Sequence, residues 1–496
     1  MENTAENGNK KEQNSRYCVF VILFNQWTMA LIMGINATAL NPAMDTIGQF
    51  VNISYVNRYS DYPTESKIKN ITVVAQSSLA WGSLIGSLLV RIVIAKCSRK
   101  GGIALSHALN LVSIVLMSPV AKFAESYEAL IAGRIVNGIS RGIGYSVVAV
   151  MVAETTCRRR LANYQGPYTY LLFVGAAIGV GLGHSRVCGN IQWWPLLTAA
   201  TAPFSITYFL LYPWMPQTPV YFMMQRNEVK SLEILRKLRY GSIGILEREI
   251  TMLKAEISHD TRTRGARLRD ILRSPTQRKQ ILSAILTLNC TQLVGTQAIF
   301  FYSNNLFREA GVPEEYITYA SIGIFAQCVI PGIMAILIVR QIGTRKLFLI
   351  GTGISAVGLT IFTLASILKN RFSPMPYVAL GSAMLFLFGN YLGIQITTFA
   401  LPSELTTQAT RPPAMLVGGI IYWVTACMVG TVLPYTLSAW GAYAYIPFIV
   451  AALVEFIYGF VFLPETFKKT VEEIQANFRP GVTNLFEAES YFLGTD

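Results

Sequence analysis

Long apolar runs, separated by short polar segments, recur along the whole sequence. Each run is about 20 residues long, which is the length that an α-helix needs to cross the hydrocarbon core of a bilayer. Twelve such runs can be counted, and they cover residues 17–41, 73–95, 103–120, 127–153, 168–184, 193–215, 280–303, 317–339, 347–368, 377–401, 415–437 and 443–463. The pattern therefore predicts an all-α membrane protein with twelve transmembrane helices.

The longest polar stretch divides the twelve runs into two groups of six. We therefore expect an N-terminal tail, an N-terminal six-helix bundle, a linker, a C-terminal six-helix bundle and a C-terminal tail, at residues 1–16, 17–215, 216–279, 280–463 and 464–496 respectively. Mixed charge at helical spacing within the linker predicts a short helical domain. Two groups of six spans are the plan of transporters built from parallel repeats.

Composition agrees with this pattern. Hydrophobic residues make up 52% of the chain and charged residues 14%, whereas soluble domains carry about 25% charged residues. A net charge of +14 could favour nucleic acid, but the Lys and Arg residues cluster in the segments between apolar runs, as in membrane proteins. The sequence therefore predicts a lipid bilayer, and not nucleic acid, as the partner of its surface. The seven Cys residues are scattered without a CxxC pair, so neither a metal site nor a disulfide framework is indicated.

The basic segments predict that both termini and the linker are cytoplasmic. Lys96, Arg159 and Arg345 lie in the basic segments after the second, fourth and eighth runs, which then share one side of the membrane. The segment at residues 42–72 would lie outside, and it carries glycosylation sequons at Asn52 and Asn70. Because the basic segments and the sequons agree on the orientation, we expect a glycosylated protein of the plasma membrane.

Six short motifs follow one another along the chain. They are Gly133-Arg134 with Gly138, Glu154 followed by arginines, Leu272-Arg-Ser-Pro275, the segment from Gln292 to Ser303, Glu404 with Arg411-Pro412, and Pro464-Glu465-Thr466. In this order and spacing they resemble motifs of facilitative glucose transporters, including the QLSGINAVFYYS segment of the seventh span. The chain is therefore identified as a member of the sugar porter branch of the major facilitator superfamily.

The resemblance implies alternating access, in which two halves rock about a central site. It also implies gating salt bridges at the cytoplasmic ends of the halves, at positions held here by Glu154, Arg134, Arg345, Glu404, Arg411 and Glu465. The alternative is that these charges simply hold helix ends. Some acidic latch residues of the family are absent, since its Pro-Glu-Ser-Pro-Arg motif reads Pro-Gln-Thr-Pro-Val at residues 216–220. We therefore expect a bias toward the inward-open state.

Residue 36 bears on the question of proton coupling. Proton-coupled sugar porters carry an Asp in the first span, and the resemblance places Asn36 at that position. Asn does not titrate, which favours a uniporter. The alternative is that another carboxylate couples transport to protons, and Glu455 in the twelfth run is the candidate, because an ionisable residue within a span is functional by default.

The expected sugar site is built from amides and aromatic rings. Amides can both donate to and accept from sugar hydroxyls, and aromatic rings cover the apolar ring face. Gln292 matches a glutamine of the family, and Gln297 replaces its usual Asn; five residues apart, they lie about 140° apart on a straight helix, so both reach one cavity if the span is bent. The substrate-binding positions that the resemblance implies are Gln292, Gln297, Thr291, Thr169, Tyr302, Phe399, Trp423 and Asn36. Half or more of the amides typical of the family are replaced, which argues against high affinity for glucose.

Arg141 adds an unexpected charge to the fourth run. It follows Arg134 by seven residues, so both side chains lie on one helical face. One hypothesis is an anion contact with a substrate that bears a carboxylate. The alternatives are that Arg141 binds backbone carbonyls or Glu154, or lies in a hydrated cavity.

The function that the sequence predicts is facilitative transport of a hexose or related sugar. The alternatives are transport of an organic anion or polyol on the same fold, or a non-transporting nutrient sensor. We expect a monomer without a cofactor. No phosphate loop, catalytic triad or metal cluster is recognisable in the sequence, so an enzyme is not predicted.

Overall fold

The computed structural model describes residues 13–157, 161–240, 244, 246–254, 274–406, 410–466, 469, 473–474 and 477–478. This part of the chain is almost entirely helical. The exception is one short antiparallel pairing, in which Gln13–Asn14 lies beside Arg239–Tyr240. It joins the start of the first span to the linker, and Ser15 strengthens it by donating a hydrogen bond to the carbonyl of Lys237 at 2.7 Å.

The N-terminal half contains six spans. The first to sixth lie in Arg16–Thr38, Glu65–Val115 (spans two and three), Tyr127–Thr155, Leu161–Leu182, and Trp194–Ala199 with Ala202–Leu211. The helix Glu65–Val115 has 51 residues, which would be roughly 77 Å long and more than twice the hydrocarbon thickness if it were straight. It is interrupted at Ser98, whose φ is 64° and ψ −178°, so two spans meet there.

The C-terminal half contains the other six spans. They lie in Pro275–Leu293 with Thr296–Glu309, Glu314–Gln327 with Val329–Ile342, Thr344–Leu368, Met375–Gly389 with Asn390–Ile394 and Gln395–Leu405, Arg411–Trp440, and Ile446–Val461. By length and apolar composition, nine described helical stretches are long enough to cross a membrane, and two of these, Glu65–Phe123 and Pro413–Val461, hold two crossings each. With the shorter apolar helix Pro167–Leu182, this arrangement gives the twelve spans that the apolar runs predict.

The segment at residues 42–72 was expected to be a loop, but it contains the helix Met44–Tyr59. Ile47, Phe50, Val51 and Ser54 are buried in this helix, at the i, i+3, i+4 and i+7 spacing of one helical face. The amphipathic pattern of this helix is therefore visible in the sequence, but the segment is too short and too polar to be predicted as a span. We call the membrane side that carries residues 42–72 the sequon face.

The linker forms the opposite side, which we call the linker face. It contains the helices Pro219–Met224 and Glu228–Leu238, and residues 246–254 are also helical. Leu235 and Leu238 of the second helix are fully buried, while its charged residues face outward. Leu238 packs in the apolar core of the N-terminal half, so the linker is docked on that half.

Glycine allows two spans of the N-terminal half to pack backbone to backbone. A Cβ atom added at Gly82 in span two would lie 2.2 Å from the carbonyl oxygen of Ile135 in span four. One added at Gly138 would lie 2.3 Å from the carbonyl oxygen of Leu79. Small residues at such crossings are the usual means by which membrane helices approach closely. This packing fixes the position of span four relative to span two. Span four carries both Arg134 and Arg141.

Candidate functional site: a central cavity between the two halves

A polar cavity lies between the two halves and, with its opening, encloses about 680 Å³. Spans one, four and five line it from the N-terminal half, and spans seven, ten and eleven from the C-terminal half. The described lining residues are Met33, Ala37, Arg141, Tyr145, Tyr168, Thr169, Leu172, Phe173, Thr291, Gln292, Thr296, Gln297, Phe300, Tyr391, Gln395, Tyr422 and Trp423. A ligand bound here would contact both halves at once.

A break in span seven brings its two glutamines to this cavity. The helix Pro275–Leu293 ends and Thr296–Glu309 begins on either side of Gly295, whose φ is +84°. Because L-residues with side chains rarely adopt this conformation, Gly295 makes the break possible. Gln292 and Gln297 therefore both face the cavity, although on a straight helix they would point in different directions.

Amide and hydroxyl groups form the polar wall beside the break. The Oε1 atom of Gln292 is buried and has no hydrogen-bond partner among the described residues, and the side chain lies beside the Tyr422 hydroxyl. The Thr291 hydroxyl lies 3.2 Å from that of Thr398. A buried acceptor without a partner is uncommon, so Gln292 is suited to accept a hydrogen bond from a ligand.

Aromatic rings form the remaining walls. Tyr422 and Trp423 meet at 5.4 Å between ring centroids with an interplanar angle of 84°. Tyr391 meets Phe173 of the other half edge-on at 4.2 Å. Such rings offer apolar faces, and their hydroxyls add hydrogen-bonding groups, which together match the two chemical faces of a sugar.

Arg141 lies in this cavity with two of its donors unpaired. Its guanidinium carbon is 5.5 Å from the centroid of the Trp423 ring, a cation–π contact. The Nε and Nη1 atoms are buried and have no hydrogen-bond partner among the described residues. The side chain therefore provides positive charge to the cavity.

Five of the predicted substrate-binding residues line the cavity, together with the predicted anion contact. They are Gln292, Gln297, Thr291, Thr169 and Trp423, with Arg141 as the anion contact. Phe399 belongs to span ten. The side chain of Phe399 lies outside the described residues, so its predicted role stays a prediction.

Two predicted substrate residues lie elsewhere. The Tyr302 hydroxyl donates to the carbonyl of Gly430 at 2.5 Å, so this side chain ties span seven to span eleven. Asn36 donates to Asn110 Oδ1 at 3.3 Å within the N-terminal half. Both side chains are buried away from the described lining, because their helical faces point toward neighbouring spans of their own half.

Several lining residues were absent from the predicted set. Tyr145 follows Arg141 by four residues, and Gln395 precedes Phe399 by four, so by spacing each shares a helical face with a predicted residue. This spacing could have identified them. Thr296 could not be assigned from spacing, because its direction depends on the break at Gly295.

The predicted gating residue Glu154 lies in a buried ion pair at the linker face. Arg99 binds Glu154 Oε1 through Nη2 at 2.7 Å and through Nε at 3.0 Å. The Thr218 hydroxyl donates to Oε2 of the same carboxylate at 2.5 Å. This cluster joins the turn between spans two and three, the end of span four and the start of the linker.

Arg134 does not join this cluster, which corrects its predicted role in a gating salt bridge. Glu154 lies 20 residues further along the same helix, or about 30 Å. Arg134 donates instead to the carbonyls of Asn36 at 2.7 Å and Ala75 at 3.3 Å, and to Gln76 Oε1 at 3.2 Å. It therefore ties spans one, two and four together inside the N-terminal half.

The other four predicted gating residues gather at the linker face of the C-terminal half. Glu404 accepts hydrogen bonds from the hydroxyls of Thr466 at 2.6 Å and Thr344 at 3.3 Å. Arg345 donates to the carbonyl of Phe460 at 2.7 Å, and its backbone N–H donates to Glu465 Oε1 at 3.5 Å. Arg411 donates to the carbonyl of Thr406 at 3.4 Å. Each half thus carries its own cluster of charged and hydroxyl groups.

Described polar contacts between the halves are concentrated toward the sequon face. Asn41 donates to Ser303 Oγ at 2.6 Å, and Gln76 donates to the carbonyl of Phe301 at 3.0 Å. Further contacts toward this face join Asn41 to Asn304, Trp81 to Thr431, Lys69 to Ser438, Asn70 to Tyr435 and Asp45 to Arg308. Nearer the linker face, Tyr170 donates to the carbonyl of Gly332 at 2.8 Å. Among the residues that the structure describes, polar contacts between the halves therefore lie mainly on the sequon side of the cavity.

Glu455 lies on span twelve and outside the described lining of the cavity. It is 3% exposed, and its Oε2 atom has no hydrogen-bond partner among the described residues. The carboxyl lies near Cys290 of span seven. In this arrangement Glu455 is therefore not placed to contact a ligand in the described part of the cavity.

Comparison with known proteins gives matches over most of the chain. The profile of the family described as "Sugar (and other) transporter" matches residues 22–478. Human solute carrier family 2, facilitated glucose transporter member 5, is 30% identical over 448 residues, which cover 90% of this chain and 88% of that protein. Human facilitated glucose transporter member 7 is 27% identical over 450 residues, which cover 90% and 86% of the two proteins.

Solved structures with the same fold include those of a bacterial xylose transporter. The proton:xylose symporter XylE bound to 6-bromo-6-deoxy-D-glucose has a TM-score of 0.77 and 17% identity, covering 94% of this chain and 100% of that one. The inward open conformation of XylE from E. coli has a TM-score of 0.73 and 16% identity, covering 93% and 100%. At these identities the likeness shows the major facilitator fold.

Proposed function

Because this chain belongs to the sugar transporter family, we propose that it is a facilitative carrier that moves a sugar across the membrane by alternating access. The observation that carries the proposal is the cavity between the halves, where Gln292 and Gln297 face aromatic rings. Members of this family are multi-pass membrane carriers and not enzymes. The small-molecule partner is a sugar, and the surface partner is the lipid bilayer.

The composition of the cavity supports a sugar as the ligand. A sugar hydroxyl both donates and accepts, and the amides of Gln292, Gln297 and Gln395 can do the same. Trp423 and Tyr391 offer aromatic surface for the C–H face of a sugar ring. These groups come from three spans of the C-terminal half, so a bound sugar would be held mainly by that half.

The absence of a titratable group at residue 36 supports uniport. Asn36 stands where proton-coupled relatives carry an Asp, and its amide donates to Asn110. Glu455 is separated from the described cavity lining, which favours a structural role for this carboxyl. Transport in our proposal therefore follows the sugar gradient alone.

The distribution of contacts supports an inward-facing arrangement. We place both termini and the linker in the cytoplasm and the sequons at Asn52 and Asn70 outside, in the plasma membrane. Contacts on the sequon side then close the outer path to the cavity, while the hydrogen bonds described for Glu154 and Glu404 at the linker face each join residues of one half. On movement to the outward-facing state, we expect the two clusters to approach one another.

Uptake by the purified protein in proteoliposomes tests this proposal. Wild-type protein should take up at least one of a panel of labelled neutral and acidic sugars with saturation. Substitution of Gln292 by Ala should raise the KM about tenfold, because a buried hydrogen bond to the ligand is lost. Substitution of Asn289 by Ala is the matched control, since this buried amide donates to carbonyls of Ile285 and Gly418 outside the lining. Saturable uptake that is unaffected by Gln292→Ala would remove the assigned site, and no uptake of any sugar would remove the proposed function.

A further inference from the structure

A cation without an acidic partner lies at the centre of this carrier. Arg141 lines the cavity, and its Nε and Nη1 atoms are buried without a hydrogen-bond partner among the described residues. An arginine in a protein keeps its proton, so the positive charge persists. A buried charge that lacks a counter-charge is unfavourable, which makes the position costly unless a ligand neutralises it.

The structural roles expected for such an arginine do not account for Arg141. Glu154 lies thirteen residues further along the same helix, about 20 Å away, and is bound by Arg99 and Thr218. Backbone carbonyls bind Arg134 on the same helical face, yet the Nε and Nη1 atoms of Arg141 find none. The contact with the Trp423 ring orients the guanidinium without neutralising it.

The other lining residues favour an anion beside Arg141. Among the lining residues that the structure describes, Arg141 is the one charged residue, and none is a carboxylate. Tyr145, Tyr168 and Tyr422 line the same cavity. The Tyr168 hydroxyl already donates to Met33 Sδ at 2.6 Å, whereas the Tyr422 hydroxyl can donate to an anion. The cavity thus combines a positive charge and several donors with the glutamines of the opposite half.

We propose that the transported sugar carries one carboxylate, which Arg141 binds while Gln292 and Gln297 bind its hydroxyls. This inference rests on the proposed transport function and specifies its substrate class as sugar acids. One guanidinium balances the single charge of a carboxylate and binds it with charge-assisted hydrogen bonds. A phosphate ester carries about −1.5 to −2 charges, so part of its charge would stay unbalanced in the cavity.

Uptake of three labelled sugars by the full chain in proteoliposomes tests the inference. The sugars are D-glucuronate, D-glucose and D-glucose 6-phosphate, and the variants are Arg141→Gln, Arg141→Lys and the control Arg91→Gln. Arg91 is an exposed arginine of span two outside the lining, so its substitution removes the same charge elsewhere. Wild-type protein should have a KM at least about tenfold lower for glucuronate than for the other two sugars, the size expected for a hydrogen bond to a charged group.

The variants should separate an effect on carboxylate binding from an effect on folding. Arg141→Gln should raise the KM for glucuronate at least about tenfold more than the KM for glucose, while Arg141→Lys should lie between the wild type and Arg141→Gln. Arg91→Gln should change neither the KM for glucuronate nor the KM for glucose. The preference of the wild-type protein tests the inference even if a variant fails to fold.

Other outcomes distinguish the inference from the proposed function. Saturable glucose uptake without glucuronate uptake would overturn the inference and leave the transport function in place. Thermal stabilisation by glucuronate that Arg141→Gln abolishes, without uptake of any of the sugars, would support binding of the carboxylate by Arg141 and overturn the transport function. Neither uptake nor stabilisation by the three sugars would overturn both.

Discussion

Arg134 and Arg141 lie on one face of one helix, but the structure gives them different surroundings. Arg134 donates to carbonyls of spans one and two and to the Gln76 side chain. Arg141 lies two turns further along, beside Trp423 of the other half, with two donors unpaired. Spacing alone predicts the shared face, whereas the partners depend on which neighbouring spans come close. One arginine therefore serves packing, and the other is available to a ligand.

Substitution of Glu455 by Gln tests uniport at the residue scale. Because Asn36 does not titrate and Glu455 lies outside the described cavity lining, sugar uptake should change less than about twofold. Uptake should also not acidify proteoliposomes loaded with a pH-sensitive dye. The measurement compares wild type and Glu455→Gln with and without an imposed proton gradient. Sugar-dependent acidification by the wild type that Glu455→Gln abolishes would instead establish proton coupling through this carboxyl.

Span seven shows how one residue redirects an element. A continuous helix would send Gln292 and Gln297 in different directions, and Gly295 with its positive φ divides the span between them. The ring of Phe448 from span twelve packs against this glycine, with its Cγ atom 2.8 Å from the position of an added Cβ. The break is therefore supported both by the backbone conformation and by packing.

Substitution of Gly295 by Ala should disturb both the backbone conformation at the break and the packing against Phe448. The left-handed conformation costs an L-residue about 1–2 kcal/mol, and the added methyl group would also displace Phe448. We expect a lower melting temperature and reduced sugar uptake. The control is Gly323→Ala in span eight, where an added Cβ meets no atom within 4 Å and the backbone is helical. Equal effects of the two substitutions would show that the break at Gly295 has no special role.

Contacts between the halves decide which side of the whole molecule is closed. Asn41 makes two of them, with Ser303 Oγ and with the backbone N–H of Asn304. Ion pairing at this face is exposed, since the side chains of Arg308 and Asp45 are 41% and 74% accessible, so it contributes little. The buried amide of Asn41 should matter more.

Substitution of Asn41 by Ala should shift the molecule toward the outward-facing state. Two hydrogen bonds of about 0.5–1.5 kcal/mol each would change the ratio of the states by up to about a hundredfold. Distances between spin labels at the exposed positions Tyr59 and Tyr443 report this change. Thr360→Ala is the control, because that hydroxyl bonds its own helix. An unchanged distance distribution in Asn41→Ala would show that this contact does not hold the sequon side closed.

The sequence by itself determined the twelve spans, their division into two halves and some of the residues that line the cavity. Apolar length and periodicity are properties of contiguous segments, and Gln292, Thr169 and Trp423 lie in segments whose resemblance to a family fixes their place. The tertiary structure decided the rest. The partners of Arg134 and Arg141, the burial of Tyr302 and the use of Gly295 as a break depend on side chains from distant spans, and no local pattern specifies which spans meet.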